Sequence, residues 1–311
     1  MKAIQAALGA AFILIVSGSC APSNVDAPGR AAPGAAGLSV AVTVPPQAYF
    51  ARRVAGDRAV ILTVVPPGSD PHTFEPSPRR VAELSRASAW FLQGLEAERS
   101  LAPRIAALNP ALRLVDANEG LALRSLDEHG HEAGEEGDAD GHAGEDGGIG
   151  AGTDPHTWLG LDGALAQAAA MARVLSELDP ESAATFEANR AAFERDARKA
   201  FADIGILLEP LRGSPVFVYH PAFGYFLDQF GLEQVAVETG GKEPTQKALA
   251  DLVERARTEG ARAVFVQAQF STAAAETVAK AVGAAVVPIE DLAEDWLENL
   301  GRIAAALGAA R

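Results

Sequence analysis

The feature that most limits what this chain can fold into is a β/α alternation interrupted once by a long, almost unbroken helical pattern. Ahead of the interruption, Leu38–Val44, Ala59–Val65, Ala89–Leu92 and Leu112–Val115 are β-branched or aromatic runs. Helical stretches separate them, including Ser77–Ala87, where Pro78 suits the first turn, and Glu96–Leu108. From Leu161 to Leu211 the sequence turns rich in Ala, Glu, Arg and Leu, broken only at Asp179-Pro180. The alternation then resumes. Strands are predicted at Val216–Val218, Gln234–Val237, Ala263–Val266 and Ala285–Val287, with helices at Gln246–Thr258, Thr272–Val282 and Leu292–Ala309. Such alternation specifies mainly parallel sheets. The predicted fold is therefore α/β, with two lobes joined by a long, rigid helix: residues 38–178, a linking helix over 179–212, and residues 213–311. A single connecting helix disfavours large hinge bending.

The N-terminal residues read as an export signal over 1–19. Lys2 precedes the apolar run Ala6–Val16, and small residues follow in Ser17-Gly18-Ser19-Cys20. That run is shorter than the roughly 20 residues a membrane span needs. Cys20, the sole cysteine, is a candidate lipidation site, with cleavage after Ala21 as the alternative; Ser17 stands where lipoprotein signals usually have Leu. Residues 20–37, rich in Pro, Gly and Ala, read as a flexible tether.

With 26 Lys and Arg against 41 Asp and Glu, the net charge is −15, which argues against a nucleic-acid partner. One cysteine excludes a disulfide framework and a cysteine-based zinc site, so any metal must be held by His and carboxylate. The segment Asp127–Gly148 holds His129, His131 and His142 among Asp and Glu, without Lys or Arg or any apolar residue larger than Ala. It is expected to be disordered and to collect divalent cations weakly.

The other three histidines stand in distinctive surroundings. His72 and His156 occupy a repeated tetrapeptide, Asp70-Pro71-His72-Thr73 and Asp154-Pro155-His156-Thr157, and His220 follows a strand in Val218-Tyr219-His220-Pro221. Pro71 and Pro155 stiffen the approach to each imidazole. Asp70 and Asp154 read equally as turn formers or as partners of the histidines. Ligands of open α/β sheets bind at the carboxyl ends of strands, where His72 and His220 fall, so the three can converge on one cleft. Zinc usually takes four ligands and favours imidazole. Glu290, after the last predicted strand, is the candidate for the fourth place, with Asp291 in reserve; an acidic pair there also reads as a helix cap.

These motifs resemble the zinc-binding solute-binding proteins of ABC transporters, a cluster that also includes manganese and iron binders and lipoproteins once described as adhesins. The resemblance covers essentially the whole mature chain. It rests on Gly68-Ser-Asp-Pro-His72-Thr-Phe-Glu75-Pro-Ser-Pro, the His/acid segment, Asp154-Pro-His156-Thr-Trp-Leu, Tyr219-His220-Pro-Ala-Phe-Gly-Tyr225-Phe, Gly241-Lys-Glu-Pro244-Thr and the ending Pro288–Leu300. It implies two α/β lobes, a rigid linking helix and one metal between the lobes, with His72, His156 and His220 on the three nitrogen-ligand positions. The family's C-terminal ligand is usually Asp. Aligning the endings puts Glu290 on that position and Asp291 after it, which leaves Glu290, Asp291 or a water as the fourth ligand. Gln267 is a second departure, since relatives often have Glu there.

The resemblance implies Zn²⁺ capture outside the cytoplasm by a monomer, periplasmic or lipid-anchored, and delivery to a permease and its ATPase. The metal is transported cargo, and no catalysis is implied. His220 favours zinc, because manganese prefers more carboxylate and water. The alternatives are a manganese- or iron-binding member of the same cluster and, from another class, a zinc-dependent hydrolase; against the latter, His-Glu-x-x-His is absent. Zinc affinity is expected to fall as pH drops through about 6.5, where free imidazole protonates.

Overall fold

A computed structural model describes residues 38–125, 152–238 and 244–310. The predicted signal peptide and tether, Cys20, His129, His131, His142 and Gly241 to Glu243 lie outside the described residues.

The first lobe carries four parallel strands, β1 (Ser39–Val42), β2 (Val60–Thr63), β3 (Ala89–Leu92) and β4 (Arg113–Asp116), in the order β2-β1-β3-β4. The second carries β5 (Pro215–Val218), β6 (Glu233–Ala236), β7 (Ala263–Gln267) and β8 (Ala285–Ile289), in the corresponding order β6-β5-β7-β8. Parallel neighbours require crossovers, and helices supply them. In the first lobe these are α1 (Pro45–Ala55), α2 (Pro78–Leu84) and α3 (Glu96–Leu108). In the second they are α6 (Gly224–Gln229), α7 (Gln246–Thr258) and α8 (Ala273–Val282). Local chemistry sets several helix starts: the Ser77 hydroxyl accepts the Arg80 amide at 3.3 Å and the Thr245 hydroxyl accepts that of Ala248 at 3.2 Å.

Between the sheets run α4 (Leu161–Leu178) and α5 (Ala183–Leu208), and α9 (Trp296–Ala309) closes the chain. At 26 residues, α5 spans about 39 Å. One face of α5 is buried through Phe186, Phe193, Ala197, Phe201, Ile204 and Leu208, the spacing of an amphipathic stripe. It packs on α1 and α4 on one side and on α9 on the other. Phe50, Phe193, Phe201 and Trp296 interlock there, with the Phe50 and Trp296 rings edge to face at 4.9 Å. One apolar core therefore runs through both lobes, and each sheet has a separate core on its outer face.

Several strands and helices are a few residues shorter than expected, and the linking helix over 179–212 is α5 with a 3₁₀ turn at each end. The last helix begins at Trp296 instead of Leu292, because the Leu292 amide is bound by the Glu290 carboxylate at 2.9 Å in a preceding turn. The short helix α6 had no periodic signal long enough to predict it.

Phe193→Ala removes a fully buried ring from the shared core and is expected to cost about 3–5 kcal/mol. Ile206→Ala, at a position 78% exposed, should stay within about 0.5 kcal/mol. Urea unfolding of both variants checks the contrast, and similar midpoints for the two would contradict a core continuous through α5.

Candidate metal centre

His72 lies in the loop after β2, His220 is the second residue after β5, and His156 precedes the short 3₁₀ turn Thr157–Leu159. The three histidines converge as the sequence predicts. One ring nitrogen from each can be chosen so that all lie within 4.8 Å of one another. His156 and His220 are buried, while His72 stands at the exposed mouth.

The orientation of two of these rings is fixed from behind. His156 Nδ1 lies 2.7 Å from Asp154 Oδ1, and His220 Nδ1 lies 2.6 Å from Glu238 Oε1. A carboxylate only accepts, so each Nδ1 carries the proton and each Nε2 presents its lone pair. Those two lone-pair nitrogens face each other at 3.2 Å. Tetrahedral zinc–nitrogen bonds of about 2.05 Å put two ligand nitrogens about 3.3 Å apart. The spacing thus matches a pair of imidazoles with a cation between them.

The repeated tetrapeptide is used differently at its two sites. Asp70 makes a turn, accepting the His72 amide at 2.9 Å and the Thr73 hydroxyl at 2.8 Å. Asp154 accepts both the amide and Nδ1 of His156, so there turn former and imidazole partner are one residue. His156 is also held through its neighbours. Buried Gln93 donates to the Pro155 carbonyl at 2.6 Å and to the Thr157 hydroxyl at 2.9 Å. Gln267 brackets His220, accepting its amide at 3.4 Å and donating to its carbonyl at 3.2 Å. The departure from Glu to Gln suits that double role, since an ionised carboxylate could not donate.

The two acidic candidates have different surroundings. Glu290 is half-buried and its carboxylate caps the Leu292 amide. Asp291 is buried, accepts from the Gln269 side chain at 2.8 Å and interacts electrostatically with His220. Neither carboxylate is in the close group of three imidazoles. Burial pushes the Asp291 carboxyl up to about 6. The protein packed around His72, and after it the His156 and His220 rings, lower its pKa to about 3, although the residue as a whole is exposed. Burial also pushes the Tyr225 phenol up to about 12, so it keeps its proton.

Sequence reasoning missed Glu238, Gln93 and Gln269. Glu238 follows β6 at a strand end, as His72 and His220 follow theirs, and that shared position was its one sequence signal. Gln93 and Gln269 lie in loops without a motif.

A family model described as "ZnuA: Zinc-uptake complex component A periplasmic" matches residues 40–310. The chain belongs to that family. The family is one of metal-binding solute-binding proteins, not enzymes. The chain is 28% identical over 273 residues to a putative metal-binding protein of Treponema pallidum, covering 85% of this chain and 82% of the relative. It is 27% identical to the zinc-binding lipoprotein AdcA of Streptococcus pneumoniae over 83% of its own length, but spans only 51% of that longer relative. A crystal structure of ZnuA superposes with a TM-score of 0.78 at 32% identity, covering 88% of this chain and 98% of the other. The manganese complex of FpvC from Pseudomonas aeruginosa, at 24% identity and TM-score 0.72, shares the fold. Among the described residues, no helix is long and apolar enough to cross a membrane.

The shifted groups give the metal-free protein a signed pH dependence. His72 has its folded pKa below its unfolded value, so its contribution to stability is present above about 6.5 and lost on acidification. Asp291 has its folded pKa above its unfolded value, so it opposes that loss between about 6 and 4. In chelator-treated protein, thermal midpoints from pH 7 to 4 should fall less steeply in His72→Gln and more steeply in Asp291→Asn. The opposite ordering would contradict the burial of these groups.

Proposed function

We propose that this protein captures Zn²⁺ outside the cytoplasm and delivers it to an ABC-type importer, with His72, His156 and His220 as nitrogen ligands. The 3.2 Å approach of two Nε2 lone pairs, each turned inward by a carboxylate on its own Nδ1, is the observation that carries this reading. Two such acceptors repel one another, and a cation between them turns the repulsion into two bonds. Three imidazoles favour zinc over manganese, which prefers carboxylate and water. The family description, zinc-uptake complex component, supports the same cargo and a membrane partner made of permease and ATPase. A lipid at Cys20 would hold the protein at the membrane, and the acid-rich segment with His129, His131 and His142 would collect zinc loosely.

For the fourth ligand we favour Asp291 over Glu290. The Glu290 carboxylate is half-buried and caps the Leu292 amide, whereas Asp291, which accepts from Gln269, is fully buried, interacts with His220 and has its ionised form disfavoured. A cation bound there relieves that penalty. Such a shell is closed, unlike the open shell a hydrolase needs to activate water.

Competition titration with zinc and manganese on the mature chain tests the proposal. One tight zinc site that manganese does not displace is expected. His220→Ala should weaken zinc by more than the roughly 10–100-fold typical of residues behind the ligands. Even competition by manganese, or no effect of His220→Ala, would falsify the zinc assignment. Asp291→Asn should weaken zinc at least tenfold and Glu290→Gln much less; the reverse ranking moves the fourth ligand to Glu290. Deleting residues 127–148 should leave the tight site and remove only weak additional binding.

A further inference from the structure

Asp154, which aims His156, is itself held from the opposite lobe. Its backbone carbonyl accepts the Tyr225 hydroxyl at 2.9 Å, and that hydroxyl accepts the Arg124 amide at 2.9 Å. The Arg124 carbonyl in turn accepts the Asp154 amide at 2.8 Å. The Arg124 guanidinium lies 3.6 Å from Asp154 Oδ2, the oxygen not used by His156, and forms an ion pair with Asp228. It also sits 5.7 Å over the Tyr225 ring. Arg124 and Asp154 belong to the first lobe, whereas Tyr225 and Asp228 are on α6 of the second, a few residues after His220.

Missing side chains leave the room for this arrangement. A Cβ on Gly224 would lie 2.6 Å from Arg124 Nε, and one on Gly160 would lie 2.9 Å from the Tyr225 Cβ. The guanidinium is nearly enclosed, with its side chain 14% exposed, and Asp154 is 3% exposed. An arginine so placed beside a buried carboxylate, with its fork shared between two acids from different lobes, has a fixed geometry.

The geometry points to a clasp of Arg124, Tyr225 and Asp228 that sets the place of His156 relative to His220, an inference that rests on the metal-capture reading of these imidazoles. The clasp acts through Asp154. Arg124 occupies Oδ2 and leaves Oδ1 for the imidazole, while Tyr225 fixes the backbone that carries both. Because Tyr225 and Asp228 travel with His220, the clasp ties the two facing nitrogens to one frame. These are positioning residues, and none of them touches the ion.

The test is stopped-flow release of Zn²⁺ to an excess of chelator from the full mature chain, with thermal midpoints of the metal-free proteins in parallel. Tyr225→Phe removes one hydroxyl at constant shape, and Arg124→Met removes the cation. Gly224→Ala pushes the guanidinium aside without changing charge. Each should keep one zinc per chain and release it about tenfold faster or more, in the range seen for residues behind metal ligands. The visible spectrum of the cobalt-loaded variants should shift, because the His156 ligand is misplaced. The double variant Arg124→Met/Tyr225→Phe should lose less than the product of the single effects, because both act on Asp154. Unchanged release and unchanged cobalt spectra in all three, with His156→Ala abolishing tight binding, overturn the clasp and leave zinc capture standing. The clasp is equally overturned if melting temperatures fall while release and spectra hold, since it is then only structural. If His156→Ala binds zinc like the parent protein, the capture reading fails and the clasp with it.

Discussion

Everything at the metal centre depends on holding two imidazoles from different lobes with their lone pairs toward each other at 3.2 Å. Left free, two imidazoles turn so that one donates to the other. Asp154 and Glu238 engage the Nδ1 atoms and so fix the orientation of both rings. The seam that fixes the distance runs close to the site: the Trp158 indole donates to the Asp291 carbonyl at 2.8 Å, and the Trp296 indole donates to the Trp158 carbonyl at 2.7 Å. Trp296 is in turn part of the aromatic cluster around α5. The distance between two nitrogens is thus set by the same core that joins the lobes.

That core explains why a single long helix suffices as a connection. An α5 solvated along its length would leave two lobes free to swing. Instead its buried stripe meets α1 and α4 from one lobe and α9 from the other, so lobe movement would expose Phe193 and Phe201. Burying apolar surface of this kind stabilises by about 25 cal/mol per Å², and two large aromatic rings make separation costly. The ion pair of Arg52 with Glu294 also spans the lobes, but it is exposed and adds little beside the aromatic seam.

How much was legible in the sequence follows the range of the interactions. The alternation of strand and helix is a local property, and Glu96–Leu108 and Gln246–Thr258 were predicted to the residue. Three histidines in unusual local settings could be placed at one site because strand ends define a shared edge. The identity of their partners could not. Glu238 reaches His220 across neighbouring strands, and Gln93 reaches Thr157 across 64 positions of chain, with nothing in either local sequence to mark the pairing. Asp70 and Asp154 show the limit most directly. The tetrapeptide is the same, yet only Asp154 lies in a buried setting where its carboxylate meets the imidazole, whereas Asp70 accepts from its own turn at the surface. Glu290 and Asp291 are adjacent, and only the structure distinguishes the half-buried carboxylate that caps Leu292 from the buried one that meets Gln269.

A one-atom ligand changes what preorganisation has to achieve. A sugar or peptide can be gripped by lobes that close on many contacts, and small errors average out. An ion offers no such average, since displacing one nitrogen by a few tenths of an ångström removes a share of one of only a few bonds. Stiffness behind the ligands therefore matters more than contact area. Gln267 bracketing the His220 peptide, Gln93 spanning both neighbours of His156, and the carboxylates behind each ring all supply it. The same stiffness keeps the His156 and His220 rings in place. His72 is the exception: it is exposed, on a loop turned by the Asp70 carboxylate and a backbone bond from Ser69 to Pro66, without a carboxylate behind its ring among the bonds described. Of the three imidazoles, the bonding pattern makes His72 the least firmly held.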